Sequence, residues 1–208
     1  MGRKARWLGV AKKGQRKQAK EKKWKGKDWF DILAPNELGG AELIKTPATD
    51  PKTVIGRTIT LPVSDVIKEV DADKYYMKIS LKITSLNGKK ASTVFNGFGC
   101  MREHILRLIR KRNQKIHAIF NVKTKDGWLL RITYLAVLTR NVPTTLQKEL
   151  RRFIIEKITN EAKKLGVYEL VKKVIDTKIQ AEIKKEGSKL YPVRFSEVEK
   201  IKVLSMPQ

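Results

Sequence analysis

The sequence is poor in the residues that build disulfides, metal cages and many catalytic sites. Its 208 residues include one cysteine, Cys100, and two histidines, His104 and His117. A single cysteine excludes an internal disulfide and an all-cysteine metal cage within one chain, and it is typical of a reducing compartment. The two histidines fall on a predicted helix and a predicted strand, without the spacing of a metal-binding pair. We therefore expect no metal site and no cofactor.

Long apolar runs and nucleotide-binding motifs are missing as well. No apolar stretch approaches the length of a bilayer span, and the first residues lack the pattern of a secretory signal. No Gly-rich phosphate-binding loop is recognisable. These absences predict a cytoplasmic protein that has neither a membrane nor a small-molecule partner and is not an enzyme. A metal-dependent nuclease using Asp71 and Asp73 is the less favoured alternative, because acids are common in polar turns.

Acidic residues are scarce compared with basic ones. The chain has 46 lysines and arginines against 21 aspartates and glutamates, a formal net charge of +25. Such a chain repels itself unless a polyanion neutralises it, and nucleic acid is the expected partner. Hydrophobic residues make up 41% of the sequence, which is enough for a packed core.

The excess charge is concentrated at the beginning of the chain. Residues 1–27 contain twelve lysines and arginines and one acid, Glu21, and have few large apolar residues. We predict two parts, a basic arm over 1–27 and a single globular α+β domain over 28–208. The arm is expected to become ordered on RNA, with two tryptophans stacking on bases; a solubilising or targeting tail is the alternative. The predicted RNA-binding residues of the arm are Arg3, Lys4, Arg6, Trp7, Lys12, Lys13, Arg16, Lys17, Lys20, Lys22, Lys23, Trp24, Lys25 and Lys27.

Two hairpins are predicted in the middle of the chain. Apolar and polar residues alternate from Tyr75 to Ile83 and from Ile116 to Val122, as in strands with one buried face. Asn87-Gly88 and Asp126-Gly127 follow these strands and predict tight turns. The return strand after the second turn is apolar on both faces and is interpreted as the centre of the sheet.

The positions of glycine and proline and the hydrophobic periodicity predict the segments that flank the hairpins. Trp29, Phe30 and Ile32 predict a segment that docks on the core, with Trp29 as the buried anchor of the junction. Glycine and proline pairs predict a loop over 36–51. Helices are predicted from Pro143 to Gly166 and from there to Gly187. The chain closes with an extended segment over 193–204, and Pro192 before it predicts an edge strand.

A further helix, at about 99–113, is strongly basic. Its apolar face is formed by residues at helical spacing, and Glu103 is the only acid on it. A solvated charged face needs no ligand, but this charge is almost unrelieved, so phosphate contact is an equally good interpretation. The predicted RNA-binding residues of this helix are Arg107, Arg110 and Arg112.

Several stretches resemble a known family when they are taken in order. They are Lys27-Asp28-Trp29-Phe30-Asp31-Ile32 with Ala34-Pro35, Gly56-Arg57, Phe95-Asn96-Gly97, Lys123-Thr124 with Asp126-Gly127 and Leu129-Leu130-Arg131, and Leu190-Tyr191-Pro192 leading to Lys200, Lys202, Val203 and Leu204. This set and its order are similar to the S-three-Ae family of small-subunit ribosomal proteins of archaea and eukaryotes. The resemblance covers about residues 27–207.

The resemblance implies both a fold and a function. The implied fold is a barrel-like, largely antiparallel sheet flanked by three main helices. The implied function is a structural one, binding small-subunit rRNA on the platform near the messenger exit, beside the 3′ region of that rRNA. The implied partners are neighbouring ribosomal proteins and, at the exit, messenger RNA. Because the sequence ends at Gln208 without the long extension of eukaryotic members, an archaeal-type member is expected.

One alternative function remains open at this level. A chromatin-like or chaperone protein that binds nucleic acid without sequence preference would have the same composition. Charge and hydrophobicity do not separate the two functions, and the separation depends on the family resemblance.

Overall fold

A computed structural model describes residues 26–67 and 72–207 of the chain. The arm prediction for residues 1–25, and Asp71 of the nuclease alternative, lie outside these described residues. The described residues form eight strands and five α-helices. The strands are β1 Asp28–Leu33, β2 Glu42–Ala48, β3 Thr58–Pro62, β4 Met77–Asn87, β5 Lys90–Cys100, β6 Gln114–Lys123, β7 Leu129–Leu138 and β8 Val193–Ser205. The α-helices are α1 Val63–Val66, α2 Arg102–Leu108, α3 Thr144–Lys164, α4 Val167–Ile175 and α5 Lys178–Gly187.

The strands form one sheet that is almost entirely antiparallel. One edge of β5 pairs with β4, which in turn pairs with β3. The other edge pairs with β1, in parallel, near Ala91 and with β8 near Phe98. The sheet continues from β8 to β7 and β6, while β1 continues to β2. The α+β class and the largely antiparallel sheet are confirmed, and among the described strands the sheet is open rather than closed into a barrel.

The two predicted hairpins are confirmed. Ten antiparallel pairs join β6 and β7, and β4 and β5 meet at the pair Asn87↔Lys90. Gly88 has φ of +64° and Gly127 has φ of +81°, which is why glycine occupies both turns. Tyr75, however, is 56% exposed and precedes β4, so the buried alternation begins at Met77.

The centre of the sheet differs from the prediction. The strand β7 is indeed covered on both faces from Tyr134 to Leu138, but it lies second from the β6 edge. The closing strand β8 lies inside the sheet, between β5 and β7, although Pro192 before it suggested an edge. Pro192 is tolerated because it precedes the first paired residue, so its missing N–H removes no ladder hydrogen bond.

The first of the two predicted helices after β7 is confirmed, and the second is divided into two. The long helix α3 begins after Pro143 and ends before Gly166, as the sequence predicts. Asp126 lies so close to Gly166 that a Cβ there would be 2.5 Å from its Oδ2, and the same oxygen accepts a hydrogen bond from the backbone N–H of Val167. The single helix predicted from there to Gly187 is interrupted at Thr177, whose φ is +59°. Two helices, α4 and α5, therefore replace one.

Two predictions near the beginning of the domain are wrong. Trp29 is 58% exposed, whereas its neighbours Phe30 and Ile32 are buried. The reason is the period of two in β1, which places Phe30 and Ile32 in a small core with Val54 and leaves Trp29 on the opposite face. The predicted loop over 36–51 contains β2, which pairs with β1 despite its proline.

The main core lies on one face of the sheet, under α3, α4 and α5. A cross-strand row of apolar residues marks this covered face, and it meets the buried stripe of the helices. The row runs through Leu61, Ile79, Phe98, Ile201, Ile132 and Phe120. The opposite face carries only the short helix α2, which covers Leu135 and Val137 at one end. The rest of that face is therefore free of any described element.

Candidate nucleic-acid interface

The uncovered part of the sheet carries polar, small and cationic side chains. We call it the open face. It consists of two cross-strand rows that flank the apolar row of the covered face, because neighbouring residues of a strand point to opposite sides. The first row is Pro62, Lys78, Gly99, Lys200, Thr133 and Ile119. The second row is Thr60, Ser80, Gly97, Lys202, Arg131 and Asn121.

Positive charge is concentrated on this face without compensating ion pairs. Lys115 and Lys123 of β6 alternate with buried residues and extend the same face, and Arg102 of α2 borders it. Within the described part of the chain, none of these lysines and arginines forms an ion pair with a carboxylate. Unpaired cations on one face produce the positive potential that a polyanion needs.

A groove runs along the open face beside α2. Its volume is about 680 Å³. Its floor includes the backbone of Gly97 and Gly99, and one wall is formed by Leu106 of α2 and by Ile109 directly after that helix. A side chain at position 97 is excluded, because its Cβ would lie 2.8 Å from the backbone oxygen of Ile201. The floor of the groove at Gly97 and Gly99, where β5 pairs with β8, is therefore bare backbone.

Two β-bulges place further polar side chains in the groove. Ser80 pairs with Gly97 and Leu81 with Phe95, so Asn96 is an extra residue in β5. Likewise Thr133 pairs with Lys200 and Tyr134 with Val198, so Glu199 is an extra residue in β8. Both extra residues line the groove, which fits the tendency of bulges to redirect a side chain.

The acid in the groove is close to a histidine. Glu199 Oε2 lies 3.7 Å from His117 Nε2, and both side chains are one-third exposed. Glu199 is the one carboxylate among the described residues that line the groove, so the cations of the groove outnumber its acids.

A buried polar cluster fixes α2 to the sheet. The rings of Tyr76 and His104 are stacked with centroids 3.6 Å apart, and His104 Nε2 lies 4.0 Å from Glu197 Oε1. Burial raises the pKa of Glu197 to about 7, and burial followed by the charge of Arg107 lowers the pKa of His104. Both shifts favour the neutral forms, because desolvation penalises charge.

Cys100 belongs to the same cluster and is not a reactive thiol. Its Sγ donates a hydrogen bond to the backbone oxygen of Val198 at 3.2 Å. Burial, with smaller contributions from the charges of Glu197 and Glu199, raises its pKa to about 12. A thiol with such a pKa is a poor nucleophile at neutral pH.

No metal site or membrane span is formed by the described residues. Nowhere in the ranges 26–67 and 72–207 do three or more histidine, cysteine or acidic side chains gather as metal ligands would. The helices found in these ranges are too short or too polar to cross a bilayer.

The predicted RNA-binding residues are only partly brought together. Those of the arm before Gly26 lie outside the described residues, and Lys27 immediately precedes β1. Arg107, Arg110 and Arg112 are exposed, and Arg107 Nη1 donates to the hydroxyl of Tyr75 on the side of α2 away from the groove. The helix itself is shorter than predicted, and Arg112 lies in the following turn with φ of +70°.

The sequence reasoning missed the cations of the open face as binding residues. They lie in four different strands, so no local window shows them as a cluster. The available signal was the lysine at outward positions of alternating strands, as in Lys78, Lys200 and Lys202. What the sequence lacked was the pairing of β5 with β8, which places these three lysines around two glycines.

Comparison with known proteins supplies the family. The model of the Ribosomal S3Ae family matches residues 15–207. The chain belongs to this family. It is 37% identical to small ribosomal subunit protein eS1 of Desulfurococcus amylolyticus over 185 residues, 89% of this chain and 86% of that protein. It is 33% identical to the protein of the same name from Methanopyrus kandleri over 189 residues, 89% of each chain.

Membership of the Ribosomal S3Ae family confirms the resemblance found in the sequence. The relatives quoted are archaeal, in agreement with the predicted archaeal type. The family is one of ribosomal structural proteins, which are not enzymes. The matched region includes every strand and helix described above.

Proposed function

We propose that this protein is a structural constituent of the small ribosomal subunit and binds its rRNA in the cytoplasm. The observation that carries the proposal is the family match over residues 15–207, together with relatives named as small ribosomal subunit proteins. The open face supports it independently, because unpaired cations on an uncovered sheet suit a phosphate backbone.

The position in the subunit is a finer part of the proposal. The family resemblance favours the platform near the messenger exit, beside the 3′ region of the rRNA, with other small-subunit proteins as neighbours. Messenger RNA is a further partner at that location. Crosslinking in intact cells followed by sequencing of the bound RNA tests this placement, since it identifies both rRNA segments and messenger.

The basic arm contributes to the same proposal. Its twelve cations over residues 1–27 precede β1 directly, so it enters the domain at Asp28. We propose that the arm binds phosphates and adds affinity, while the domain beginning at residue 28 supplies shape and orientation.

Co-sedimentation tests the proposed function. The full-length protein is expected to travel with small ribosomal subunits at moderate salt and to be released at high salt, because phosphate contacts weaken as salt rises. Recovery of the protein only in free or DNA-bound fractions would contradict the ribosomal role.

A further inference from the structure

The groove beside α2 has the composition of a site for unpaired nucleotides. Its lining combines cations, amide and hydroxyl groups, and a short apolar wall. Lys78, Lys200 and Lys202 surround the glycine floor, and Leu106 on the wall is 57% exposed although its neighbour Ile105 is buried. An exposed leucine beside unpaired lysines suits a ligand that has both a charged and an apolar part.

The shape of the groove bears on which form of RNA it can hold. A duplex keeps its bases inside and is recognised mainly through its backbone and a wide, shallow minor groove. Single strands can turn their bases outward, against apolar or aromatic side chains. The recessed floor at Gly97 and Gly99 lies below the level of the surrounding lysine side chains, so a protruding base can reach it and a duplex backbone meets the lysines first.

Polar groups in the groove can contact a base edge. Asn96 carries an amide donor and acceptor and is directed there by its bulge. At the same end, Thr60 Oγ1 and Ser80 Oγ are 2.9 Å apart and share a hydrogen bond, which leaves acceptor capacity on both hydroxyls. These groups lie on the β3–β5 side, and the apolar wall of α2 forms another part of the lining.

We propose that this groove binds a single-stranded stretch of RNA, with a base against Leu106 and Ile109 and the adjoining phosphates on Lys78, Lys200 and Lys202. The charge of the groove, its bare floor and its apolar wall together favour this occupant. The inference rests on the proposed RNA-binding function and specifies the form of RNA at this site.

Binding of two probes by the full-length protein tests the inference. The probes are a labelled single-stranded oligouridylate and a blunt RNA duplex of the same length. Two groove variants are used, the pair Lys200→Ser and Lys202→Ser, and the single Leu106→Ser, which keeps the charge. The matched control is the pair Lys184→Ser and Lys185→Ser, which removes two exposed lysines from α5.

The expected result separates the two probes. The groove lysine pair is expected to flatten the salt slope for the single strand by about 1.4, or 0.7 per lost phosphate contact. Leu106→Ser is expected to weaken single-strand binding by roughly fivefold, because it removes apolar area that the base would cover. Duplex binding should be unaffected by Leu106→Ser, and in the lysine pair it should lose less than single-strand binding, because a duplex meets the lysines but does not reach the floor. The α5 control should leave both probes unaffected.

Four outcomes would overturn the inference. If the groove variants lost equal affinity for the single strand and the duplex, the groove would be a general cationic surface without preference for unpaired RNA. If Leu106→Ser bound the single strand with wild-type affinity, Leu106 would not contact a base. If the wild-type protein bound neither probe nor an rRNA fragment, the proposed function itself would be contradicted. If it bound an rRNA fragment normally and the groove variants bound the single strand as well as the wild type, only the groove site would be contradicted.

Discussion

The two faces of the sheet are built from the same strands but carry opposite chemistry. On the covered face, an apolar row from Leu61 to Phe120 packs under α3, α4 and α5. On the open face, the residues directly adjacent to that row are lysines, small residues and amides. A period of two in each strand is enough to separate a surface that stabilises the fold from a surface available to a partner.

The charges of the two sides differ in arrangement more than in number. Residues 144–187, which form the helical layer, contain eleven lysines and arginines and seven acids. Several of these are paired, as in Lys157–Glu186 at 2.5 Å and Lys173–Glu161 at 3.1 Å. The cations of the open face lack such partners among the described residues. The acids interspersed among the helical cations, rather than the number of cations, therefore distinguish the helical layer from the open face, whose groove has one carboxylate, Glu199, among its described lining residues.

The largest expected effect concerns the arm, because it carries many of the cations. Without the arm, the remaining RNA binding has to come from one of the two faces of the sheet. Deletion of residues 1–25 removes eleven cations and one acid and leaves β1 intact. If about half of these cations contact phosphates, the log–log salt slope of rRNA-fragment binding should flatten by roughly 4 to 5. The thermal midpoint should change little. An unchanged slope would assign RNA binding to the domain alone, and a collapsed melting transition would show that the arm is part of the fold.

Truncating one apolar residue on each face of the sheet tests how much each face contributes to the free energy of unfolding. Leu150 of α3 is buried on the covered face, and Leu150→Ala should lower the free energy of unfolding by about 2–5 kcal/mol. Ile119 of the open face is 61% exposed, and Ile119→Ala should change it by no more than about 0.5 kcal/mol. Urea denaturation measures both. A large loss for Ile119→Ala would mean that the open face is covered in the free protein.

The buried cluster under α2 predicts a pH dependence of stability. Because the pKa of Glu197 is raised to about 7 in the folded protein, its contribution is present at low pH and is lost as the pH rises through that value. The loss between pH 5 and 8 should be about 2–3 kcal/mol. The lowered pKa of His104 acts in the opposite direction, since it destabilises the folded protein as the pH falls below about 6.5.

Glu197→Gln separates these two opposing contributions. The variant keeps His104 and removes the titrating carboxyl, so its unfolding free energy should no longer decline from pH 6 to 8. Thermal or urea denaturation at several pH values measures this difference. A variant that retains the wild-type decline would show that Glu197 is not the group responsible.

The smallest effect is expected at Trp29, where the sequence was misleading. Since Trp29 is exposed, Trp29→Ala should alter the free energy of unfolding by about 0.5 kcal/mol or less. Its neighbour Phe30 is buried, and Phe30→Ala should cost about 3–5 kcal/mol. Similar destabilisation by the two changes would indicate that Trp29 packs against the sheet after all.

Local patterns predicted most of the elements but not their arrangement. The hairpins at Gly88 and Gly127 and the helix after Pro143 are encoded in a few adjacent residues, and all three were predicted. The inside position of β8 and the division of β5 between β1 and β8 depend on strand pairs about 55 to 105 residues apart along the chain. Trp29 was misassigned because hydrophobicity alone does not give the direction of a side chain in a strand.

Local sequence also fails to show contacts between distant residues, and for this reason the open-face lysines were missed as candidate binding residues. Arg107, Arg110 and Arg112 are conspicuous because they cluster in sequence, whereas Lys78 precedes Lys200 and Lys202 by more than a hundred residues. Only the registers Lys78↔Gly99 and Gly99↔Lys200 reveal that they share a surface. Glycines that appear featureless in the sequence form the floor between them.

One measurement tests the central claim most directly, namely that the open face and not the helical side binds RNA. Two triple variants of the full-length protein are compared, each with three lysines replaced by serine. The open-face variant loses Lys78, Lys200 and Lys202. The helical variant loses Lys163, Lys184 and Lys185 of α3 and α5. Because both have the same net charge, only the position of the lost charge differs. Salt titration of rRNA-fragment binding should show a slope flatter by about 2 to 3 for the open-face variant and an unchanged slope for the helical one. Equal flattening in both, or a larger change in the helical variant, would contradict the claim.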